Sequence, residues 1–283
     1  GGFFPAELKK AGFDVIIFEG QAAEPVYLWI DGDKAELRSA NHLWGKTTHE
    51  TDEHLRKETD AKARTSVIGP AGENQVLFAS IMNDKDRAAG RSGVGTVMGT
   101  KKLKGVVVRG KNKVSMADEE NFKQVSKKYL DAFREVKKDK PYPLSVHGTA
   151  ITSVATQANG VFPTHNFQYG TFEGWESISG EALTEKYLVK SKACYSCPIG
   201  CGRLTKIPDG PFKGEGEGPE YETTYSLGSD CGVDDLAALT KANYICNELG
   251  IDTISMGSAI ACAMELVEKG YLEESEIGRP LQW

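Results

Sequence analysis

The chain has 283 residues, of which 40% are hydrophobic and 26% are charged, as is ordinary for a folded protein of about two domains. Its formal net charge of -6 argues against nucleic-acid binding, because neutralising phosphates requires a basic surface. No apolar run is long enough to predict a membrane span, and the first residues do not resemble a signal peptide. Six cysteines, three of them bunched, favour a reducing cytoplasm over a secreted, disulfide-bonded scaffold.

The first part of the chain has the patterns of strands and turns. An apolar run rich in β-branched residues predicts a strand over residues 14–19. Residues 26–30 and 35–38 flank Asp31 and Gly32, which predicts a hairpin with a tight turn.

Residues 47–57 have helical spacing and polar character, which predicts a short surface helix. Further strands are predicted at residues 66–68 and 76–79, on either side of a turn rich in glycine and proline. Residues 105–109 predict a last, buried strand. We therefore expect a β-rich domain over residues 1–112.

A stretch of small residues and arginines begins at Arg87, Ala88, Ala89 and Gly90 and continues to Lys102. Small residues let backbone amides approach an anion closely and arginine binds phosphate in two places, so a phosphate-bearing cofactor is one interpretation. The glycines do not fit the dinucleotide-binding pattern. A glycine-rich loop with solvated arginines is the alternative.

After residue 110 the periodicity becomes helical. Residues 115–118 resemble a capping box, and the apolar residues up to position 136 fall on one face of a long helix. Shorter helices are predicted at residues 148–159 and 181–189, and a loop at residues 208–219. The expected fold class is α+β, with a mainly α-helical domain over residues 113–283.

Two more helices are predicted near the end of the chain. Asp234 is expected to cap a helix that ends at Gly250, and a second helix covers about residues 255–269. Small residues from Gly257 onwards in this second helix indicate that another element packs closely against it.

Cys194, Cys197 and Cys201 have the spacing C-x2-C-x3-C within eight residues. Three thiolates this close suit a metal centre, and the favoured interpretation is three ligands of an iron–sulfur cluster. Zinc is the chemical alternative, although zinc sites usually show a second cysteine or histidine pair, which is absent from this sequence. Chance clustering of structural cysteines is the remaining interpretation.

Two polar motifs lie further along the chain. Glu220 and Glu222 end a flexible loop, where a glutamate is either a proton donor with a raised pKa or simply exposed. Residues 247–252 have the pattern of a helix end with a glycine stop, and their polar groups are also suited to hydrogen-bonding a ligand.

Several motifs in one order resemble the tungsten-containing aldehyde ferredoxin oxidoreductase family over nearly the whole chain. They lie at residues 1–9, 68–74, 87–104, 166–168, 194–203, 218–222, 246–255 and 264–266. The resemblance implies a tungsten or molybdenum bis-pyranopterin beside a 4Fe-4S cluster, with magnesium bridging the pterin phosphates. It also implies that an aldehyde is oxidised to a carboxylic acid, with electrons leaving to ferredoxin or another electron carrier.

The resemblance assigns roles residue by residue. It makes Cys194, Cys197 and Cys201 cluster ligands and makes Glu222 the proton-handling glutamate beside the metal. The cofactor-binding residues that it implies are Gly1, Gly2, Arg87, Ala88, Ala89, Gly90, Asn247, Gly250, Ile251 and Asp252. Asn247 departs from the family's usual aspartate and keeps a hydrogen bond without the charge.

Other departures limit the comparison. The family's fourth cluster cysteine and a histidine near the metal have no counterpart here, so we expect an internal piece of a longer protein. Residues 241–244 replace the family's Glu-x-x-His, so we expect no mono-iron site between subunits. The resemblance is compatible with a homodimer and with separate electron-transfer subunits. The alternatives are a benzoyl-CoA reductase-type catalytic subunit and an inactive, metal-stabilised structural module.

Overall fold

A computed structural model of the chain describes residues 1–138 and 140–283. The chain forms two compact units, each assembled from separate stretches. The first unit comprises Gly1–Tyr142, Ala193–Gly200 and Asn247–Ile251, and the second comprises Pro143–Lys192, Cys201–Cys246 and Asp252–Trp283. The domain boundary expected after residue 112 stays a prediction.

The first unit is built on one mixed sheet. Its strands are β1 Val26–Asp31, β2 Lys34–Ser39, β3 Arg64–Val67, β4 Ile81–Asn83, β5 Arg87–Ala89 and β6 Leu103–Arg109. Their order is β2-β1-β6-β3-β4-β5, in which β1 and β6 are parallel and the other neighbours are antiparallel. The apolar sequence of β6 matches its place inside the sheet, with both faces covered.

Five helices accompany this sheet: α1 Phe4–Ala11, α2 Thr48–Glu58, α3 Pro70–Glu73, α4 Val94–Thr100 and α5 Glu119–Val136. Alternation along β1 divides the core in two. Tyr27 and Trp29 lie in one cluster with Leu55 of α2, whereas Leu28 and Ile30 lie in another with Ala11 of α1.

Most predicted elements of the first unit are confirmed, including the hairpin of β1 and β2, the strand β6 and the helix α2. The side chain of Thr47 accepts a hydrogen bond from Glu50, whose own side chain completes a capping box for α2. The helix is not wholly exposed, because Thr51 and Leu55 on one side of it are buried.

Two predicted strands are wrong. Residues 14–19 are irregular, and Ile16 and Phe18 pack against the core without joining the sheet. Residues 77–78 form a turn, Ala79 makes only an isolated β-bridge with Ile251, and the next strand of the sheet is β4. At residues 14–19 the apolar run marks packing against the core, which a local pattern cannot separate from strand pairing.

The long helix α5 starts later than predicted. Its N-cap is Asp118, whose carboxylate accepts a hydrogen bond from the backbone N–H of Asn121 at 2.9 Å. The predicted capping box at residues 115–118 is therefore wrong, because the last residue of that motif is itself the cap.

A buried ion pair fixes the short helix α3 to β6. The ammonium group of Lys104 contacts the carboxylate of Glu73 and donates to the carbonyl oxygen of Lys46 at 2.8 Å. Glu73 also accepts the N–H of Gly45 at 2.7 Å. Burial lowers the pKa of Lys104, while the hydrogen bond and the charge of Glu73 act in the opposite direction.

The second unit is mainly helical. Its helices are α6 Pro143–His147, α7 Thr152–Ala158, α8 Gly180–Tyr187, α9 Tyr221–Leu227, α10 Leu236–Leu249, α11 Thr253–Glu268 and α12 Glu274–Ile277. Three antiparallel strands accompany them, in the order β7 Leu188–Lys192, β8 Gly202–Ile207 and β9 Gly214–Glu217. The α+β class with a β-rich first part and a mainly helical second part is confirmed.

The prediction of a loop over residues 208–219 is wrong at residues 214–217, which form strand β9. A Cβ atom on Gly216 would lie 2.6 Å from the ring of Tyr244, so glycine is needed where the strand passes under this ring. The glycines that indicate a loop in the sequence are here a packing requirement. Residues 188–189, predicted as helix, begin β7 instead.

The helices near the chain's end agree with the predictions, except that Asp235, not Asp234, accepts the N–H groups of Ala237 and Ala238 at the start of α10. The close packing expected at Gly257 is confirmed, since a Cβ atom there would lie 2.2 Å from the carbonyl oxygen of Ser226. No helix in the described residues is long and apolar enough to cross a membrane.

Candidate active site and metal centre

The first unit brings together residues that are far apart in the sequence. The backbone N–H of Gly2 donates to Sγ of Cys194 at 3.3 Å, and Tyr195 N–H returns a bond to the Gly2 carbonyl at 3.1 Å. A Cβ atom on Gly1 would lie 3.6 Å from Sγ of Cys194 and 4.0 Å from Cδ of Arg87. Four predicted site residues are thus neighbours: Gly1, Gly2, Arg87 and Cys194.

Asp84, which was not predicted, fixes the Gly1–Gly2 segment. Its buried carboxylate accepts the N–H groups of Phe3 at 2.6 Å and Phe4 at 3.2 Å, at the start of α1. A Cβ atom on Gly2 would lie 2.8 Å from Oδ2 of Asp84. An aspartate in the polar turn between β4 and β5 was the only sequence signal for this role.

Arg87, Ala88 and Ala89 form strand β5, not a loop, and Gly90 leads into a short 3-10 turn. The amide of Asn83 donates to the carbonyl oxygen of Arg87 at 2.9 Å and so fixes the strand end. Phosphate binding by this segment stays a prediction.

The glycines after Gly90 have a structural reason. A Cβ atom on Gly95 would lie 2.4 Å from the Ser80 carbonyl oxygen, and one on Gly99 would lie 1.8 Å from that of Gly72. Close backbone packing of α4 therefore accounts for these glycines without any ligand.

The turn at residues 247–251 belongs to the first unit. Gly250 has a left-handed φ of 72° and its carbonyl oxygen accepts Ser80 N–H at 2.8 Å, while Ile251 forms a β-bridge with Ala79. The carbonyl oxygen of Asn247 accepts the hydroxyl of Thr48 at 2.7 Å. The predicted glycine stop of α10 is confirmed.

The amide of Asn247 lies 3.5 Å from Oδ1 of Asp86, and Nε2 of His49 lies 2.9 Å from the same oxygen. Burial by itself lowers the pKa of His49, but its hydrogen bond to Asp86 and the charges of Asp86 and Glu248 outweigh burial and raise it. His49 and Asp86 were not predicted as parts of the site, because 37 residues separate them.

The cysteine segment is divided between the units. Cys194 and Cys197 are half-buried in the first unit, where Cys197 N–H donates to the Cys194 carbonyl at 3.1 Å. Cys201 belongs to the second unit. No group of three or more His, Cys, Asp or Glu side chains in residues 1–138 and 140–283 is placed to hold a metal ion. The cysteine ligand set stays a prediction.

Arg203 holds the backbone beside Cys201. Its buried guanidinium donates to the carbonyl oxygen of Cys201 at 3.1 Å and to that of Ser145 at 3.0 Å, and also contacts the carbonyl oxygen of Val146. Burial lowers the pKa of Arg203. The cysteine motif includes this arginine, but spacing alone gave no reason to assign it this role.

Glu222 lies in the first turn of α9 and is exposed. The loop before it is fixed, because Asn243 donates to the Glu217 carbonyl at 2.7 Å and Thr149 contacts the Glu220 carboxylate. Asn243 is buried, as is Tyr244, whose hydroxyl lies 2.7 Å from that of Thr205. The absence of a mono-iron site at residues 241–244 stays a prediction.

Asp252, predicted to contact the cofactor, is the N-cap of α11. Its carboxylate accepts the backbone N–H of Ser255 at 2.9 Å and the hydroxyl of Ser255 at 2.6 Å. This capping gives Asp252 a structural role, and its contact with the cofactor stays a prediction.

Two family models match the chain. The one described as aldehyde ferredoxin oxidoreductase, N-terminal domain, matches residues 1–110, and the one described as domains 2 & 3 matches residues 124–283. The chain belongs to the aldehyde ferredoxin oxidoreductase family. The sequence resemblance is confirmed at this level.

Individual members of the aldehyde ferredoxin oxidoreductase family align with the whole chain. The tungsten-containing aldehyde ferredoxin oxidoreductase of Thermococcus kodakarensis is 48% identical over 100% of this chain, which covers 47% of that protein. The protein of the same name from Pyrococcus furiosus is 47% identical, again with 100% and 47% covered. The chain thus spans about half the length of these curated relatives.

A solved structure is also similar: the active site complex BamBC of benzoyl coenzyme A reductase in complex with 1,5 dienoyl-CoA. It has a TM-score of 0.81 and 32% sequence identity, and the match covers 97% of this chain and 43% of that chain.

The residues present fit the groups that the aldehyde ferredoxin oxidoreductase family implies. Half-buried thiols of Cys194 and Cys197 are the soft donors that iron–sulfur clusters use. A Cβ atom on Gly1 would lie 3.6 Å from Sγ of Cys194, and one on Gly2 would lie 3.3 Å from Cγ of Arg87, so the backbone of both glycines lies close to these side chains. Asn247 carries a side-chain amide, a type of group that can hydrogen-bond a pterin ring.

Proposed function

We propose that this protein oxidises an aldehyde and water to a carboxylic acid at a tungsten or molybdenum bis-pyranopterin centre. Two electrons leave through a 4Fe-4S cluster to ferredoxin or another electron carrier. The contact between Gly2 and Cys194 carries the proposal: the backbone assigned to the pterin donates a hydrogen bond to a thiol assigned to the cluster. Such a contact suits two redox groups that exchange electrons.

The reaction converts RCHO and water to RCOOH, two electrons and two protons. The pterin-bound metal supplies two-electron chemistry and polarises oxygen. Glu222, exposed on α9, accepts one of the protons as the water oxygen bonds to the carbonyl carbon.

The other residues bind and position the groups. Cys194, Cys197 and Cys201 ligate the cluster, and Arg203 fixes the carbonyl beside the third thiolate. Arg87 would bind the pterin phosphates, whose remaining charge magnesium would neutralise, and Ala88, Ala89 and Gly90 would let the backbone approach them. A pterin-binding turn would be formed by Asn247, Gly250, Ile251 and Asp252.

The test begins with the metal content and aldehyde oxidation of the protein purified with its cofactors. We expect tungsten or molybdenum, about four iron atoms per chain and a broad visible charge-transfer band. Glu222→Gln should lower kcat about a hundredfold or more and leave the metals unchanged. Glu215→Gln, which changes a half-exposed glutamate on β9, is the matched control.

Full activity in Glu222→Gln would remove this glutamate from the mechanism. Zinc in place of iron, without tungsten or molybdenum, would favour the inactive, metal-stabilised module. We also propose that the protein is located in the cytoplasm, because its thiols must be kept reduced.

Similarity to the BamBC complex favours a second candidate, a catalytic subunit of the benzoyl-CoA reductase type. We rank it second because the two aldehyde ferredoxin oxidoreductases share 48% and 47% identity with the chain, against 32% for BamBC. Reduction of benzoyl-CoA by a strong reductant, without oxidation of any aldehyde, would reverse this order.

A further inference from the structure

Arg203 places a positive charge inside the second unit, beside the cysteine that the proposed function makes the third cluster ligand. The residue is 1% exposed. Its Nε donates a hydrogen bond to the carbonyl oxygen of Cys201 at 3.1 Å. Only Cα and Cβ separate that carbonyl group from Sγ of Cys201, so the guanidinium lies close to the residue whose thiolate is assigned to the cluster.

The backbone of Gly148 lies against this contact. A Cβ atom on Gly148 would lie 2.9 Å from the carbonyl oxygen of Cys201 and 3.3 Å from Nε of Arg203. Gly148 has a left-handed φ of 66°, which glycine adopts without strain. The charge of Arg203 therefore acts within the protein interior, where electrostatic interactions are stronger than in water.

A structural role accounts for part of this arrangement. The terminal nitrogens of the guanidinium donate to the carbonyl oxygens of Ser145 at 3.0 Å and of Val146, both in the short helix α6. Basic side chains commonly bond the last carbonyl groups of a helix. This role requires donors at α6, but it requires neither the bond to Cys201 nor a permanent charge.

The charge of Glu220 also acts on Arg203. Burial lowers the pKa of Arg203, whereas the negative charges of Glu220 and Cys201 act in the opposite direction. The hydroxyl of Thr149 contacts the carboxylate of Glu220, and the carbonyl oxygen of Arg203 accepts Gly218 N–H at 2.8 Å in the loop before this glutamate. Arg203 is thus coupled electrostatically to a proposed cluster ligand and to an acid whose position is fixed.

Resting on the proposed function, we propose that the charge of Arg203 raises the reduction potential of the cluster and that the charge of Glu220 lowers it. An electron from the oxidised aldehyde adds one negative charge to the cluster before it leaves to the electron carrier. A nearby buried cation stabilises this added charge and a nearby anion destabilises it. Arg203 acts in this way without touching a reacting atom.

The test is a redox titration of the protein purified with its cofactors, followed by electron paramagnetic resonance at pH 8. Arg203→Met removes the positive charge. At a fixed potential it should lower the ratio of reduced to oxidised cluster about tenfold, which is a shift of about 59 mV for one electron. Arg203→Lys keeps the charge and should recover most of this ratio.

Glu220→Gln tests the opposite sign. Glutamine keeps an oxygen that can accept the hydroxyl of Thr149 and removes the negative charge, so the potential should become more positive. Glu215→Gln is the matched control, because Glu215 is exposed on β9 beside Lys206 and water screens its charge. Structural damage does not produce shifts of opposite sign, so Glu220→Gln remains decisive even if Arg203→Met does not fold.

Three results would overturn the inference: an unchanged potential in Arg203→Met, an equal fall in Arg203→Lys, or a more negative potential in Glu220→Gln. The expected shifts in a protein that oxidises no aldehyde support the inference and contradict the proposed function. Aldehyde oxidation with the same cluster potential in every variant supports the proposed function and overturns the inference. A protein that binds no iron–sulfur cluster contradicts both.

Discussion

The backbone N–H of Gly2 donates a hydrogen bond to Sγ of Cys194 across 192 residues of sequence. Gly2 has a left-handed φ of 75°, and Asp84 holds the two following N–H groups. The position of the Gly2 N–H therefore depends on the backbone conformation that glycine allows and on the carboxylate of Asp84, which is far from Cys194 in the sequence. Hydrogen bonds to cluster sulfurs raise the reduction potential, because they stabilise the added negative charge.

Gly2→Ala should therefore change the reduction potential of the proposed cluster. Its Cβ atom would meet Asp84 at 2.8 Å, and the left-handed backbone adds a cost of about 1 kcal/mol. We expect a more negative cluster potential, measured by a redox titration followed by electron paramagnetic resonance. Gly12→Ala is the control, since Gly12 has a φ of 97° with nothing within 4 Å. An equal shift in potential in both variants would contradict the role of the Gly2 bond.

The buried pair of Glu73 and Lys104 gives a prediction about stability. Glu73→Gln leaves the ammonium group of Lys104 buried without its counter-charge, so the free energy of unfolding should fall by about 3–5 kcal/mol. Combining Glu73→Gln with Lys104→Met should recover most of this loss. Urea unfolding measures both variants, and Glu135→Gln, at an exposed pair with Lys138, should stay within about 0.5 kcal/mol.

His49 gives a prediction about pH. Its pKa is raised in the folded protein, so its interaction with Asp86 stabilises the fold fully below the ordinary pKa of 6.5. That contribution is lost as the pH rises through the higher, folded-state pKa. The melting temperature of the unchanged protein should exceed that of His49→Gln most at pH 5.5 to 6, a window set by this ordinary pKa, and less at alkaline pH.

His42→Gln is the control for this measurement, because the His42–Glu58 pair is half-exposed on the surface. It should change the melting temperature little at any of these pH values. A difference between His49→Gln and the unchanged protein that grows toward alkaline pH would contradict the assigned sign.

The cysteines should separate into three classes when iodoacetamide is applied at pH 8. Burial raises the pKa of Cys231 and of Cys246 to about 12, so about one thiol in 10,000 is ionised and neither should react before unfolding. Cys262 is exposed and should react readily. Peptide mass spectrometry reads out each site.

The proposed cluster ligands form the third class. Cys194, Cys197 and Cys201 should be protected while iron is bound and should become reactive once it is removed by oxidation and chelation. Alkylation of all three at the rate of Cys262 in the iron-containing protein would rule out the ligand assignment.

Local patterns predicted much of the fold, and their failures have a common cause. The hairpin around Gly32 and the capping box at Thr47 succeed because both depend on residues within a few positions. The prediction of a strand over residues 14–19 is wrong because the same apolar run suits either a strand or a packed irregular segment. The prediction of a loop at strand β9 is wrong because the strand's glycines are required by the ring of Tyr244, which lies 28 residues after Gly216.

The sequence by itself determined the family, the cysteine spacing and the candidate glutamate, because each depends on residue types at fixed intervals. Only the tertiary structure decided what surrounds them. Contacts between distant segments place Asp84 at Gly2, Asp86 between His49 and Asn247, and Asp230 beneath Phe167. Such contacts arise when the elements pack, and no periodicity along the chain records which side chains then meet.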